Sequence, residues 1–402
     1  TQGLFFYGRT TPFVTPPFGM THWTPVTRKA QIGIPLYNYF DTRMRGFRAS
    51  HKPAMWMGDY GHVTLKPVIG KINKKRLKQT FYFSHCNETS KPNYYSVNLF
   101  TKKLKKIKTE MTATSRCGIL KFTFPKNEEP AIFIEASELP DSNGLVKIIP
   151  DKKEIIGWNK DRQSTSLGPP LPNFKGYFVI QFSEAFESFG VYENDGLKNA
   201  ATEITSNSCG AWVRFAKNTK LVQVKVATSF ISVEQARENL QEEIGEKSFE
   251  TVEEETKQQW QNYLSRIELE GASKRQKGIF YSAMYHTLLF PRQFSEYGKY
   301  YSAFDDKIHT GVSYNDYSLW DTYRAEHPLL ILTAPEHVAG MVQSLIQDYE
   351  EGGYMPKWPN PTYTGIMIGT HADAVVADAV MKGVKGFDLQ KAYEACMKDA
   401  MV

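Results

Sequence analysis

The sequence predicts a multidomain β plus α protein, with an N-terminal β-sandwich followed by helices that fit an α/α barrel. Three observations carry this. A chain of 402 residues is too long for one core of ordinary size. Up to about residue 232, short segments alternate apolar and polar side chains, the period of a half-buried strand. From about residue 271, apolar side chains recur at helical spacing. The expected division is a β-sandwich domain at 1–232, a helical linker at 233–270 and a helical domain at 271–402.

The strand segments are TFYFSH, YYSVNLF, GILKFTF, AIFIEA, GYFVIQF, AWVRFA and LVQVKVATSFI. Asn143-Gly144 and Asn194-Asp195-Gly196 read as hairpin turns, because these residue types tolerate positive φ. The stretch GFRASHKPAMWMGDYG (46–61) reads as a loop that holds His51, Trp56 and Asp59 among Gly and Pro. Chemistry-bearing loops touch ligands more often than cores do. The competing reading makes it a rigid plug, with Trp56 as filler and Asp59 bonding its own turn. His22 and His85 read as structural histidines.

The segment 233–269 is rich in Glu, Gln and Lys and predicts two helices broken near Gly245. The run Glu253 to Glu255 reads as a solvated face. Ser273 and Gln276 have capping-box spacing. Behind them, Ile279, Phe280, Ala283, Met284, Thr287 and Leu288 form an expected buried side, ended by Pro291. Val338, Met341, Val342, Leu345, Ile346 and Tyr349 form one apolar helical face. Pro335 suits the first turn of that helix and Gly352-Gly353 its end. Thr370 is the expected N-cap of a small-residue helix that Gly383 stops. Asp388 caps a last helix with no stop signal before Val402.

Composition excludes several classes. An apolar fraction of 41% suits packed cores rather than a disordered chain. No run of 18 apolar residues occurs, so no helical membrane span is expected. A net charge of +6 is mild for this length. The Lys-rich stretches 69–78 and 101–109 interleave charge with apolar residues and read as solvated strand faces, so nucleic acid is not an expected partner. Cys86, Cys117, Cys209 and Cys396 lack metal-ligand spacing and read as buried free thiols, although a disulfide between two of the first three stays open.

Two Trp-bearing loops bracket the helix that begins at Pro335. One carries Trp320, Asp321 and Arg324; the other carries Lys357 and Trp358, with His371 further on. Rings, carboxylate and guanidinium suit a sugar face and its hydroxyls. The plain alternative is two core Trp residues and an i, i+3 helix pair.

The ordered blocks SLWDTYR, HPLL, MVQSL, EEGGYMPKWP, MIGTHADAVVADA and KGFDLQKAYEA resemble glycoside hydrolase family 92, the calcium-dependent, inverting exo-α-mannosidases. PFGMTHWTP, GFRASHKPAMWMGDYG and FYFSHCNETSKPNYYSVNL resemble N-terminal segments of the same family. The resemblance implies a β-sandwich followed by an (α/α)6 toroid catalytic domain. It makes Trp56, Asp59, Trp320, Asp321, Arg324, Trp358 and His371 candidate substrate-binding residues. Asp321 is the foremost candidate for holding sugar hydroxyls, with Arg324 orienting it. The implied partners are α-mannoside glycans or mannosylated small molecules, and the implied location is secreted or periplasmic, with any signal peptide removed.

An inverting glycosidase uses two carboxyls roughly 6.5–9.5 Å apart, one as acid and one as base. The family's base lies in a GNDD-like segment and its calcium contacts largely in a GNEP-like one; neither occurs in this sequence. The expectation is that both lie beyond residue 402, that this chain is the first part of a longer protein, and that alone it is inactive and holds no metal ligands. Counting back from MIG, Tyr363 stands at the family's acid position. A phenol, with an ordinary pKa near 10, is a poor acid for an alcohol leaving group. Asp305-Asp306 is a loop pair without a defined partner, and Asp373 reads as a cap. Three functions stay open: a mannosidase with a variant acid, a hydrolase of mannose-phosphate linkages, or a catalytically impaired carbohydrate-binding member.

Overall fold

The computed structural model describes residues 11–194 and 196–401. These fall into two compact units. The first comprises described residues up to 16, then 21–163 and 175–257; the second comprises 17–20, 164–174 and 258–402.

The first unit is built on two antiparallel sheets. Seven strands run in the order His22–Val26, Gly46–Ser50, Val63–Ile69, Pro130–Glu135, Cys209–Arg214, Ser188–Glu193 and Gly196–Asn199. The other sheet has eleven. Its path runs from Glu203–Asn207 through Asn143–Ile149, Glu154–Asn159, Gly176–Phe182, Leu221–Ser229, Cys117–Thr123, Lys106–Ala113, Tyr94–Phe100 and Phe81–Tyr82 to Arg43–Met44, while Glu88–Lys91 pairs beside it. One continuous core joins the inner faces, with Trp23, Phe47 and Phe133 from the first sheet and Tyr95, Phe122 and Phe178 from the second. A short helix, α1 (Lys74–Leu77), lies on a connection. The larger sheet buries its outer face against α2 (Val233–Glu243) and the start of α3 (Phe249–Leu264): Cys117, Ile119 and Val179 pack with Ala236, Leu240, Phe249 and Val252. The expected linker is therefore helical, broken at Gly245 in the left-handed region, but most of it belongs to the sandwich unit.

The expected strands form, although TFYFSH keeps only Phe81–Tyr82 as strand and His85 opens a 3-10 turn. Three local expectations are corrected. Residues 46–50 are a fully buried strand, which has no alternation to betray it. Asn143-Gly144 opens a strand rather than a turn; a Cβ on Gly144 would lie 3.0 Å from both the Ser137 Cβ and the Trp158 carbonyl, so close packing explains the glycine. Asn194 does take positive φ between two paired strands, while Asp195 lies outside the described residues. All four cysteines are free, but only Cys117 and Cys209 are buried.

The second unit is helical with short hairpins. Its helices are the end of α3, then α4 (Lys274–Thr287), α5 (Leu319–Thr322), α6 (Glu326–Thr333), α7 (Pro335–Gly352), α8 (His371–Met381) and α9 (Leu389–Asp399). Helices α6 to α9 pack on one another. In α7, Val338, Met341, Val342, Leu345 and Ile346 are buried as the period predicts, and Gly353 closes the helix at φ 99°. The Ser273–Gln276 capping box starts α4. The buried side expected of α4 shrinks to Met284 and the following Leu288; Ile279 is 63% exposed and Ala283 is exposed, because no described element covers them. Thr370 takes the N-cap position of α8 without a side-chain bond to the backbone. The last helix spans Leu389–Asp399, with Ala400 still in the right-handed helical region.

Candidate active site

The candidate residues fall in both units. In the sandwich unit, Trp56 is 56% exposed and Asp59 has no exposed surface. Both Asp59 oxygens are engaged. Oδ1 accepts the backbone N–H groups of His51 and Tyr60, and Oδ2 accepts from Ser50 and Arg48. Arg48, itself buried, also reaches Glu138 at 2.8 Å. Burial works against the charge of Asp59, but His62, Arg48 and His51 outweigh it and hold the carboxyl below its ordinary value. The sugar-contact reading of Asp59 therefore gives way to the alternative, a carboxylate that bonds its own turn.

In the helical unit, the hairpin strand Tyr314–Asn315 delivers the chain into α5. There Trp320 stays 44% exposed and Asp321 is exposed beside it. Ser318 donates to Asp321 at 2.5 Å. No ion pair joins Asp321 to Arg324 among the described residues, so the expected orienting role passes to Ser318. The guanidinium of Arg324 lies over the Tyr323 ring at 5.1 Å, and that ring tilts against His371 at 4.5 Å. These contacts place the start of α8 beside α5, and with it His371 beside the Trp320–Asp321 segment.

Glu326 begins α6, five positions after Asp321, and no pattern in the sequence singles it out. Its carboxyl is half-buried. Burial, and then the negative charge of Asp321, push its pKa up to about 8. A half-buried carboxyl with a raised pKa beside a second carboxylate is the kind of group that can serve as a general acid.

The second Trp loop is held by a buried polar ladder. Arg292 pairs with Asp316 at 2.5 Å, with both side chains inaccessible. Asn360 donates to Asp316 and accepts from Ser164, and Asn315 donates to the Pro361 carbonyl. Trp358 is only 3% exposed, and its indole N–H has no hydrogen-bond partner among the described residues. It is a wall, not an open stacking face. The Tyr363 hydroxyl donates toward the carbonyls of Tyr354 at 2.6 Å and Asp348 at 3.2 Å. Its ring stacks on Tyr354 at 4.2 Å and meets the edge of Phe304 at 4.7 Å. Burial, with the nearby Asp348 adding to it, pushes this phenol well above its ordinary pKa.

Calcium needs roughly six to eight oxygen ligands. Among the described residues, one group of three potential metal ligands converges, Asp305, His309 and Glu351. One of its three donors is an imidazole nitrogen, so this set does not fit calcium.

A β-sandwich unit and a toroid-type helical unit, with an exposed Trp–Asp pair in α5, match the architecture of a glycoside hydrolase class. The sequence profile for the glycosyl hydrolase family 92 N-terminal domain matches residues 1–229, and that for the family 92 catalytic domain matches residues 235–402. The chain belongs to glycosyl hydrolase family 92. Because the catalytic-domain profile is matched here, the expectation that this segment alone lacks activity is not borne out. Among solved structures, the chain is similar to the inverting family 92 mannosidase BT2199 of Bacteroides thetaiotaomicron VPI-5482, with 34% identity and a TM-score of 0.89. That match covers 96% of this chain and 52% of the relative. It is also similar to the α-mannosidase BT3965 of Bacteroides thetaiotaomicron, with 27% identity and a TM-score of 0.86 over 98% of this chain and 55% of the relative. A complex of BT3965 with mannoimidazole matches equally well in TM-score. The chain thus spans about half the length of these solved relatives. A search of curated proteins found no match.

Proposed function

We propose that this chain acts in the release of terminal α-linked mannose with inversion, and that Trp320 and Asp321 receive the sugar. The observation that carries this is the exposed Trp320–Asp321 pair in a chain of family 92: an apolar ring face beside a carboxylate held by Ser318 and free to accept sugar hydroxyls. The names of two solved relatives, an inverting mannosidase and an α-mannosidase, support mannose as the sugar.

The acid position asks for a group that is protonated near neutrality. Tyr363 is a worse donor in the fold than in the sequence, because its proton is already engaged by backbone carbonyls and its pKa is pushed further up. Glu326 has the opposite property: at pH 7 its carboxyl keeps its proton. We assign the acid role to Glu326 and a loop-fixing role to Tyr363. Cleavage of mannose-phosphate linkages is the second reading, favoured by the engaged Tyr363 phenol, since a phosphate leaves as a stable anion without a proton. Calcium enters no step assigned to these residues.

The test is hydrolysis of α-linked mannobiose and aryl α-mannosides, with the anomer formed first read by NMR. Asp321→Asn is expected to lower kcat/KM by about 10²-fold, the scale of losing a charged hydrogen bond in the transition state. Unchanged turnover in that variant, or release of the retained anomer, sinks the reading.

A further inference from the structure

The hairpin formed by Lys299–Ser302 and Lys307–Thr310 meets the last turn of α7 at a cluster that no step above uses. Asp305 comes from the hairpin turn, His309 from its second strand and Glu351 from the helix end. One ligating atom from each lies within 4.8 Å of the other two. His309 Nε2 is 2.9 Å from Asp305 Oδ2, and its Nδ1 is 4.0 Å from Glu351 Oε1.

An ordinary ion pair explains Asp305 with His309. It does not explain Glu351. That side chain is 10% exposed, and one of its oxygens accepts from the Tyr300 hydroxyl. Its other oxygen, Oε2, is buried with no hydrogen-bond partner among the described residues. A buried carboxylate oxygen without a donor carries the full desolvation penalty of the group, so native structures rarely leave one. A cation supplies what is lacking.

We propose that Asp305, His309 and Glu351 bind a divalent first-row transition ion, of which zinc is the first candidate. One imidazole and two carboxylates suit zinc, whose protein ligands are His, Cys, Asp and Glu; calcium and magnesium take oxygen alone. At metal–ligand distances of about 2.0–2.2 Å, the three donors must stand roughly 3–3.5 Å apart. Asp305 and His309 Nε2 already do, and the Glu351 carboxylate, within 4.8 Å of the other two donors, closes by a side-chain adjustment of roughly 1–2 Å. His309 remains one-third exposed, which leaves a path for the ion.

The ion pins the hairpin to the end of α7. Gly352 is the last residue of α7; Gly353 and the loop that carries Trp358 and Tyr363 follow it, and Phe304 of the same hairpin touches Tyr363. The site therefore positions the second Trp loop rather than taking part in chemistry. It stands or falls apart from the mannosidase reading, because its readout is metal binding.

The experiment is calorimetric titration of the chelator-treated chain with zinc chloride, and with calcium chloride in parallel. One zinc per chain is expected, with affinity lowered roughly tenfold or more in both His309→Ala and Glu351→Gln, the scale of losing a ligand or its support. Zinc should raise the Tm of the unaltered chain and not that of either variant. Cobalt(II) keeps the test decisive if a variant does not fold, since an imidazole ligand alters its visible spectrum in the unaltered chain. Absence of zinc binding, binding unaffected by both substitutions, calcium binding as tight as zinc, or an all-oxygen cobalt spectrum overturns the proposal.

Discussion

At the scale of single residues, Glu326 shows how context makes a carboxyl into an acid. Its folded-state pKa of about 8 lies above the ordinary value of 4.5, through burial first and the charge of Asp321 second. A raised value means that the protonated form is the one the fold accommodates. Its contribution to stability is fully present below about 4.5 and is lost as the pH rises through about 8. Glu326→Gln keeps the shape and removes the titration. The variant is expected to match the parent at acid pH and to exceed it above pH 8 by on the order of 1–2 kcal/mol, a figure discounted for the partial exposure of the group. Urea unfolding at a series of pH values measures this, and parallel stability profiles for parent and variant would remove Glu326 as a neutral acid. None of this was legible in the sequence, where Glu326 is one Glu among many. The pKa depends on burial at the start of α6 and on a neighbour five positions away, and neither has a periodic signature. Asp59 is the converse: its loop was conspicuous, yet Arg48, Ser50 and two backbone donors consume its carboxylate.

At the scale of elements, legibility follows one-sided burial. Helix α7 was readable because one of its faces is buried and the other is not, so the 3.6-residue period survives in the sequence. Strand Gly46–Ser50 was not readable, because all five residues are buried and alternation disappears. Helix α4 has a plausible apolar side, of which the described residues bury Met284 and the following Leu288. These burial states predict different costs for similar substitutions. Leu345 in α7 is fully buried, and Leu345→Ala is expected to destabilise the helical unit by about 2–4 kcal/mol through lost transfer and a residual cavity. Ile279 in α4 is mostly exposed, and Ile279→Ala should cost less than about 0.5 kcal/mol. Denaturant midpoints of the two variants test the contrast; equal losses would mean that α4 is covered in solution by something the folded chain does not itself supply.

At the scale of the whole molecule, the chain belongs to glycosyl hydrolase family 92, and the fold narrows which residues could serve the proposed chemistry. The residues that carry the resemblance lie in order along the chain, which is why the class was legible early. The distribution of protons was not, because it depends on which groups are buried together. Tyr363 is tied to two carbonyls and holds its loop against Phe304 and Tyr354. Glu326 holds a proton at neutral pH next to Asp321. If Glu326 is the acid, the rate with a sugar leaving group must fall as the pH rises through about 8, where the carboxyl loses its proton. Glu326→Gln must then slow poor leaving groups by about 10²–10⁴-fold and activated aryl groups far less, because the need for a proton scales with the basicity of the departing oxygen. Tyr363→Phe should reduce stability by about 1 kcal/mol through its lost hydrogen bonds while leaving that leaving-group dependence unchanged. The measurement is kcat/KM across a series of mannosides of graded leaving-group pKa, with mannose 1-phosphate included, for the parent and both variants. A Glu326→Gln variant with the parent's slope would return the acid role to another residue. Brisk cleavage of mannose 1-phosphate by a parent that leaves mannobiose untouched would favour the phosphate reading, in which no protein acid is needed.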